Sequence, residues 1–173
     1  MRILAAAAGA VLALALTGLA LAIPQKDTYK LTSNLKIRFE VPKPAGVRVG
    51  AVGLFTGKAV EQENDKARIT WRLTFSKLSG PAAAAHIHLG KPGKAGGVMF
   101  ALCGPCKNGQ RGVATITHAQ LRTIRSGGTY VNVHTARNAG GEIRGQVKAS
   151  KASSSSGPAP PPTTPEPPPP YYP

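Results

Sequence analysis

Three of the four histidines are placed where they could share one piece of chemistry. His86-Ile87-His88 closes the run Ala82–Ala85. If this stretch is extended, Ile87 points into the core and both imidazoles project from the opposite face, about 7 Å apart along the strand. His134 ends Tyr130-Val131-Asn132-Val133-His134, where Val131 and Val133 face the core and His134 shares the wet face with Tyr130 and Asn132. Imidazole nitrogen suits copper and zinc, and three such donors with one open position is a known active-site arrangement. The competing reading is three histidines that hydrogen-bond to backbone or cap strand ends. A metal site here predicts that Glu142 or Asn132 fixes a ring N–H. It also predicts that affinity falls as the pH drops through about 6.5, where imidazole takes up its proton. His118, at the first position of a short helix, reads as a surface residue outside this group.

Cys103-Gly104-Pro105-Cys106 resembles the thioredoxin string, which opens a helix and lowers a thiol pKa. Here it follows the strand-like Val98–Leu102 and precedes the turn Lys107–Gly112, and Leu102 stands where that motif has Trp. A loop disulfide in an oxidising compartment is the expected role. Gly90, Gly93, Gly96 and Gly97 do not have the G-x-G-x-x-G spacing and no helical pattern follows, so they are read as turn residues. No nucleophile–base pair stands out, and nothing marks a conventional enzyme.

The elements that must hold these residues are strands. Ala67, Ile69, Trp71, Leu73 and Phe75 alternate with Arg68, Thr70, Arg72, Thr74 and Ser76, the period of a half-buried strand. Leu35–Val41 repeats that pattern, as do Tyr130–His134 and Glu142–Val147, the last two separated by a Gly/Asn-rich turn over Arg137–Gly141. One short helix begins at Thr117, whose hydroxyl and the Gln120 side chain fit a capping box, and it ends before Gly127-Gly128. The fold class is all-β, an antiparallel β-sandwich with one short helix. Its expected core includes Ile37, Phe39, Ile69, Trp71, Leu73, Phe75, Ile87, Val131, Val133 and Ile143.

The ends of the 173-residue chain differ in kind from its middle. Residues 1–22 read as a signal peptide: one positive charge, an apolar run, and an A-x-A cleavage site at Ala20-Leu21-Ala22. An uncleaved leader would instead be long enough to anchor in a bilayer. Residues 150–173 form a Ser/Pro-rich tail that cannot bury apolar surface. Residues 23–149 make one ordinary domain. Lys and Arg total 22 against 7 acids, a formal charge of +15 spread along the chain. Such a field attracts acidic glycans or anionic cell-surface components. Export argues against nucleic acid as the partner, and places the protein outside the cell, or in the periplasm of a bacterium.

Two motif blocks carry a family resemblance. Ala84-Ala85-His86-Ile87-His88-Leu89-Gly90 with Gly93 and Gly96-Gly97-Val98 forms the first. Tyr130–Thr135 with Gly141-Glu142-Ile143-Arg144-Gly145-Gln146 forms the second. Together they resemble the CHRD (chordin) domain over roughly Ile37 to Lys148. The resemblance implies a fold similar to the Cu,Zn superoxide dismutase sandwich, whose copper site also begins on an H-x-H strand. By that likeness His86, His88 and His134 correspond to three copper-ligand positions, with no histidine at the fourth copper position, no zinc-binding loop and no Cys pair at long spacing. The leading functional expectation is a secreted binding or structural module with a basic surface. The alternative is a copper-binding protein with weak redox activity.

Overall fold

The computed structural model describes residues 26–152; the expected leader, and the tail beyond Ala152, lie outside the described residues. Among the described residues nine strands form one antiparallel sheet: β1 (Thr28–Lys36), β2 (Val52–Glu61), β3 (Lys66–Ser76), β4 (Ala82–Leu89), β5 (Val98–Cys103), β6 (Arg111–Thr117), β7 (Thr129–Thr135), β8 (Ile143–Gln146) and β9 (Lys148–Lys151). The single α-helix among the described residues, α1 (His118–Arg125), follows β6. Its capping box is complete, with Thr117 Oγ1 accepting from the Gln120 amide and Gln120 Oε1 accepting from the Thr117 amide. Among the described residues no helix is long and apolar enough to cross a membrane.

The strand order is β5-β4-β7-β8-β1-β2-β3-β6, with β9 branching onto β1. The path turns a corner where β8 meets β1. There the two strands share one pair, Lys36 with Arg144. The Val147 amide donates to the Thr129 carbonyl, and from Lys148 onward the chain pairs with β1 instead of β7. This folds the sheet around one core. Leu31, Leu35, Phe55, Ile69, Trp71 and Leu73 enter it from β1–β3, and Ile87, Val131, Val133 and Ile143 from β4, β7 and β8. Leu121 and Ile124 of α1 join the same cluster. Burial of this apolar surface is the main force holding the two halves together. The all-β class read from the alternation is therefore the fold observed.

Several expectations shift. The strand foreseen over Leu35–Val41 stops at Lys36, and Ile37–Phe39 forms a 3-10 turn closed by the Glu40 amide on the Ile37 carbonyl, 3.0 Å. The turn exposes Phe39 (42%) and sends Glu40 inward (3% exposed). Ile37 and Phe75 are only half-buried against the core. β2 carries no clean alternation, because Gly53 and Gly57 occupy places where neighbours press in: a Cβ on Gly53 would lie 3.0 Å from Ile143 Cδ1. β9 runs on through Ser150 and Lys151, two residues beyond Ala149.

Candidate metal centre

β4 and β7 are neighbouring antiparallel strands, with His86 opposite Asn132, Ala84 opposite His134, and His88 opposite Tyr130. Strand pleating puts His86 and His88 on one face, and the register sets His134 diagonally beside His86 on that same face. One ligand nitrogen from each of the three histidines lies within 4.8 Å of the others, a group that could hold a metal ion. His86 Nδ1 and His134 Nε2 stand 3.1 Å apart.

The face is not the open, wet one the alternation implies. All seven residues of β7 are buried, Tyr130 and Asn132 included. Two segments cover it. The first, residues 90–97, places the Gly96 carbonyl 3.0 Å from His88 Nδ1 and the Gly96 amide 3.2 Å from the Tyr130 hydroxyl. Only glycine tolerates that approach, since a side chain at Gly96 would run into the Leu89 carbonyl. The second, residues 136–142, places the Ala139 carbonyl 2.9 Å from His134 Nδ1.

These two carbonyls fix the tautomers. A carbonyl only accepts, so Nδ1 of His88 and of His134 must carry the proton, and their Nε2 lone pairs are bare. His134 Nε2 accepts from His86 Nδ1–H in this arrangement. His88 Nε2 is buried with no partner at all. Such an orphaned acceptor costs about 1–3 kcal/mol. Holding the second ring N–H of a histidine is also what metal sites do to orient their ligands. Burial lowers the pKa of all three rings. Neighbouring rings reinforce the shift for His86 and His134, and Arg144 does so for His88.

Glu142 and Asn132, expected to hold a ring N–H, do other work. The Glu142 carboxylate accepts from the Ser79 amide (2.6 Å), the Thr135 hydroxyl (2.6 Å) and Asn138 Nδ2 (3.3 Å), which ties down the second covering segment. Burial alone would raise its pKa, but the hydrogen bonds led by Ser79 hold it below the ordinary value. Asn132 Nδ2 donates to Glu40 Oε1 at 3.3 Å.

Arg144 is the contributor that alternation could not flag, because it lay on a face read as outward. It is 1% exposed. Its guanidinium sits 3.3 Å over the Tyr130 ring, and Tyr130 in turn stacks on His88 at 5.0 Å and 10°. Its Nη2 donates to the Lys91 and Lys94 carbonyls, 3.2 and 2.7 Å, pinning the first covering segment. The arginine thus holds His88 from one side through an aromatic and from the other through the loop.

His118 stands apart on α1, half-buried rather than at the surface, with Nδ1 3.4 Å from Asp65. Cys103 and Cys106 form a disulfide with Cα atoms 5.2 Å apart. No helix opens at either cysteine; the Cys106 amide donates to the Ala82 carbonyl of β4. The bridge therefore ties the end of β5 to the strand that carries His86 and His88.

Fold and site together define an all-β domain with a covered three-histidine cluster on adjacent strands. The chain belongs to the CHRD domain family, whose family model matches residues 31–147. No curated protein and no solved structure matches the chain.

Proposed function

We propose that this domain binds a single transition-metal ion through His86 Nδ1, His88 Nε2 and His134 Nε2, copper ahead of zinc. The observation that carries the reading is the buried, unpartnered lone pair of His88 Nε2, aligned by the Gly96 carbonyl on the other side of its ring. Two supports add to it. Nitrogens bonded to one tetrahedral ion at about 2.0–2.1 Å stand about 3.3 Å apart, close to the 3.1 Å between His86 and His134. Neutral imidazoles favour copper over zinc in the general affinity order of divalent metals. Bound copper would supply an ion with an open coordination position; the protein would keep its ligands neutral and largely shielded from water, with His88 and His134 held in tautomer by the Gly96 and Ala139 carbonyls and His86 moving its proton from Nδ1 to Nε2 to free the ligating lone pair. Calorimetric titration of tag-free, chelator-stripped protein should give one copper per chain, with zinc weaker. A flat titration with both ions would end this reading.

A second reading concerns where the protein works and what it meets there. The apolar leader with Ala20-Leu21-Ala22 supports export, and the charge of +15 supports attraction to acidic glycans at an extracellular surface. The disulfide is compatible with an oxidising compartment. Sequencing of the secreted product should find Ile23, or a residue within a few positions of it, at the N-terminus. Recovery of soluble extracellular protein that still begins at Met1 would overturn the leader assignment.

A further inference from the structure

A cavity of about 680 Å³ opens beside the corner where β1, β8 and β9 meet, and none of the three histidines lines it. Its cationic lining is Lys36, Arg38, Arg144 and Lys148, and no carboxylate lines it. Among the described residues none of these four forms an ion pair. The described acids are committed elsewhere: Asp27 pairs with Lys151, Glu61 with Arg125, Glu63 with Lys26 and Asp65 with His118. Glu40 and Glu142 are buried and outside the lining. Glu40 acts on Arg144 from beneath the lining, so the net positive field of the concavity rests on Lys36, Arg38 and Lys148, and a positive concavity focuses its field on whatever anion enters.

The remaining lining narrows the kind of anion. Phe39 is 42% exposed at the cavity, with the Arg38 guanidinium 4.8 Å over its ring. A large exposed aromatic beside cations offers a platform for the apolar face of a sugar ring. Asn34 and Gln146 contribute carboxamides; Gln146 Nε2 is already bound to the Gly90 and Gly127 carbonyls, which fixes the orientation of the group. The volume falls in the range of small-molecule sites, about 300–1,000 Å³.

We infer that this cavity binds a carboxylated saccharide unit, with Lys36, Arg38 and Lys148 on its acid groups and Phe39 against its ring. The inference rests on the acidic-glycan reading above and gives that reading a defined site. Charge draws the polymer to the surface; the cavity selects the unit.

The test compares two variants with the same charge loss. One is K36Q/R38Q/K148Q, in the cavity; the other is K58Q/R68Q/K107Q, at exposed positions outside its lining. Binding of trigalacturonate near physiological salt should weaken at least about tenfold in the first and less than about twofold in the second. F39A should weaken the trisaccharide yet leave retention on a cation-exchange resin unchanged. Equal losses in both charge variants, or a wild type that is retained on pectin but ignores the trisaccharide, would overturn the cavity assignment alone. Tighter binding of a sulfated disaccharide lacking carboxylates would overturn the carboxylate choice. A wild type retained on no acidic glycan at all would sink the broader reading.

Discussion

His88→Ala is expected to abolish stoichiometric copper uptake, leaving no resolvable heat in a titration where the wild type takes up one ion. Loss of a partner that merely orients a metal ligand typically weakens binding about 10–100-fold. Removing one of three protein donors should exceed that, because the ion falls back to two nitrogens and water. His86→Ala and His134→Ala should behave alike, whereas His118→Ala, on α1, should bind as the wild type does. Copper should raise the melting temperature of the wild type by binding only the folded form, and leave the three variants where they are. That second readout separates a lost ligand from a lost fold.

The pH dependence follows from the burial of the rings. Burial holds the pKa values of His86, His88 and His134 below the free value of 6.5. The rings thus remain neutral, and able to bind metal, as the pH falls past 6.5. The loss of affinity should come below that point, not at it as a free imidazole would require. The metal-free fold responds in the same window. Between 6.5 and the lower folded value the unfolded chain binds protons that the folded chain refuses, so stability is highest above 6.5 and declines as the pH falls through that window.

How much of this could be read from residues alone depends on what each element does. β3 and the capped helix were legible because their periodicity reaches one buried face and one solvated face, as the sequence pattern assumes. The histidine grouping was legible for the same reason: i, i+2 spacing on one strand and a core-facing register on the next set the side-chain direction. β7 exposed the limit of that logic. Alternation tells apart two faces but cannot tell water from a loop folded over the second face, and here residues 90–97 and 136–142 cover it. The groups that fix His88 and His134 are backbone carbonyls, which leave no residue-type signature. Arg144 failed for a related reason. A long cation on an apparent outer face reads as solvated, yet it is buried by stacking on Tyr130 and by two loop carbonyls. Phe39 failed in the opposite direction, because a 3-10 turn breaks the two-residue period just where an apolar residue would have continued it.

Trp71→Ala is expected to cost about 3–5 kcal/mol, the range for emptying a large aromatic core position. Trp71 is 6% exposed on β3, flanked along its strand by the fully buried Ile69 and Leu73. Across the strand pair it faces Gly112 of β6, and the indole lies over the space a side chain there would occupy: even a Cβ would have to share it with Cζ2 and Cε2 of the indole. The two positions are therefore complementary, and the structure supplies a second way to disturb the same contact. Gly112→Ala should push the indole out of place and destabilise by overpacking, at about 1–3 kcal/mol. Combining the two should cost less than their sum, since the alanine at 112 fills part of the hole left at 71. Val113→Ala, one residue away but 54% exposed, should change stability by less than about 0.5 kcal/mol. Urea denaturation with an unchanged slope is the measurement. Because β3 lies in the half of the fold remote from β4 and β7 in strand order, folded Trp71→Ala should still take up copper. A Trp71→Ala protein as stable as the wild type would mean that the indole is not part of the core, and that the packing between the two halves has been misassigned.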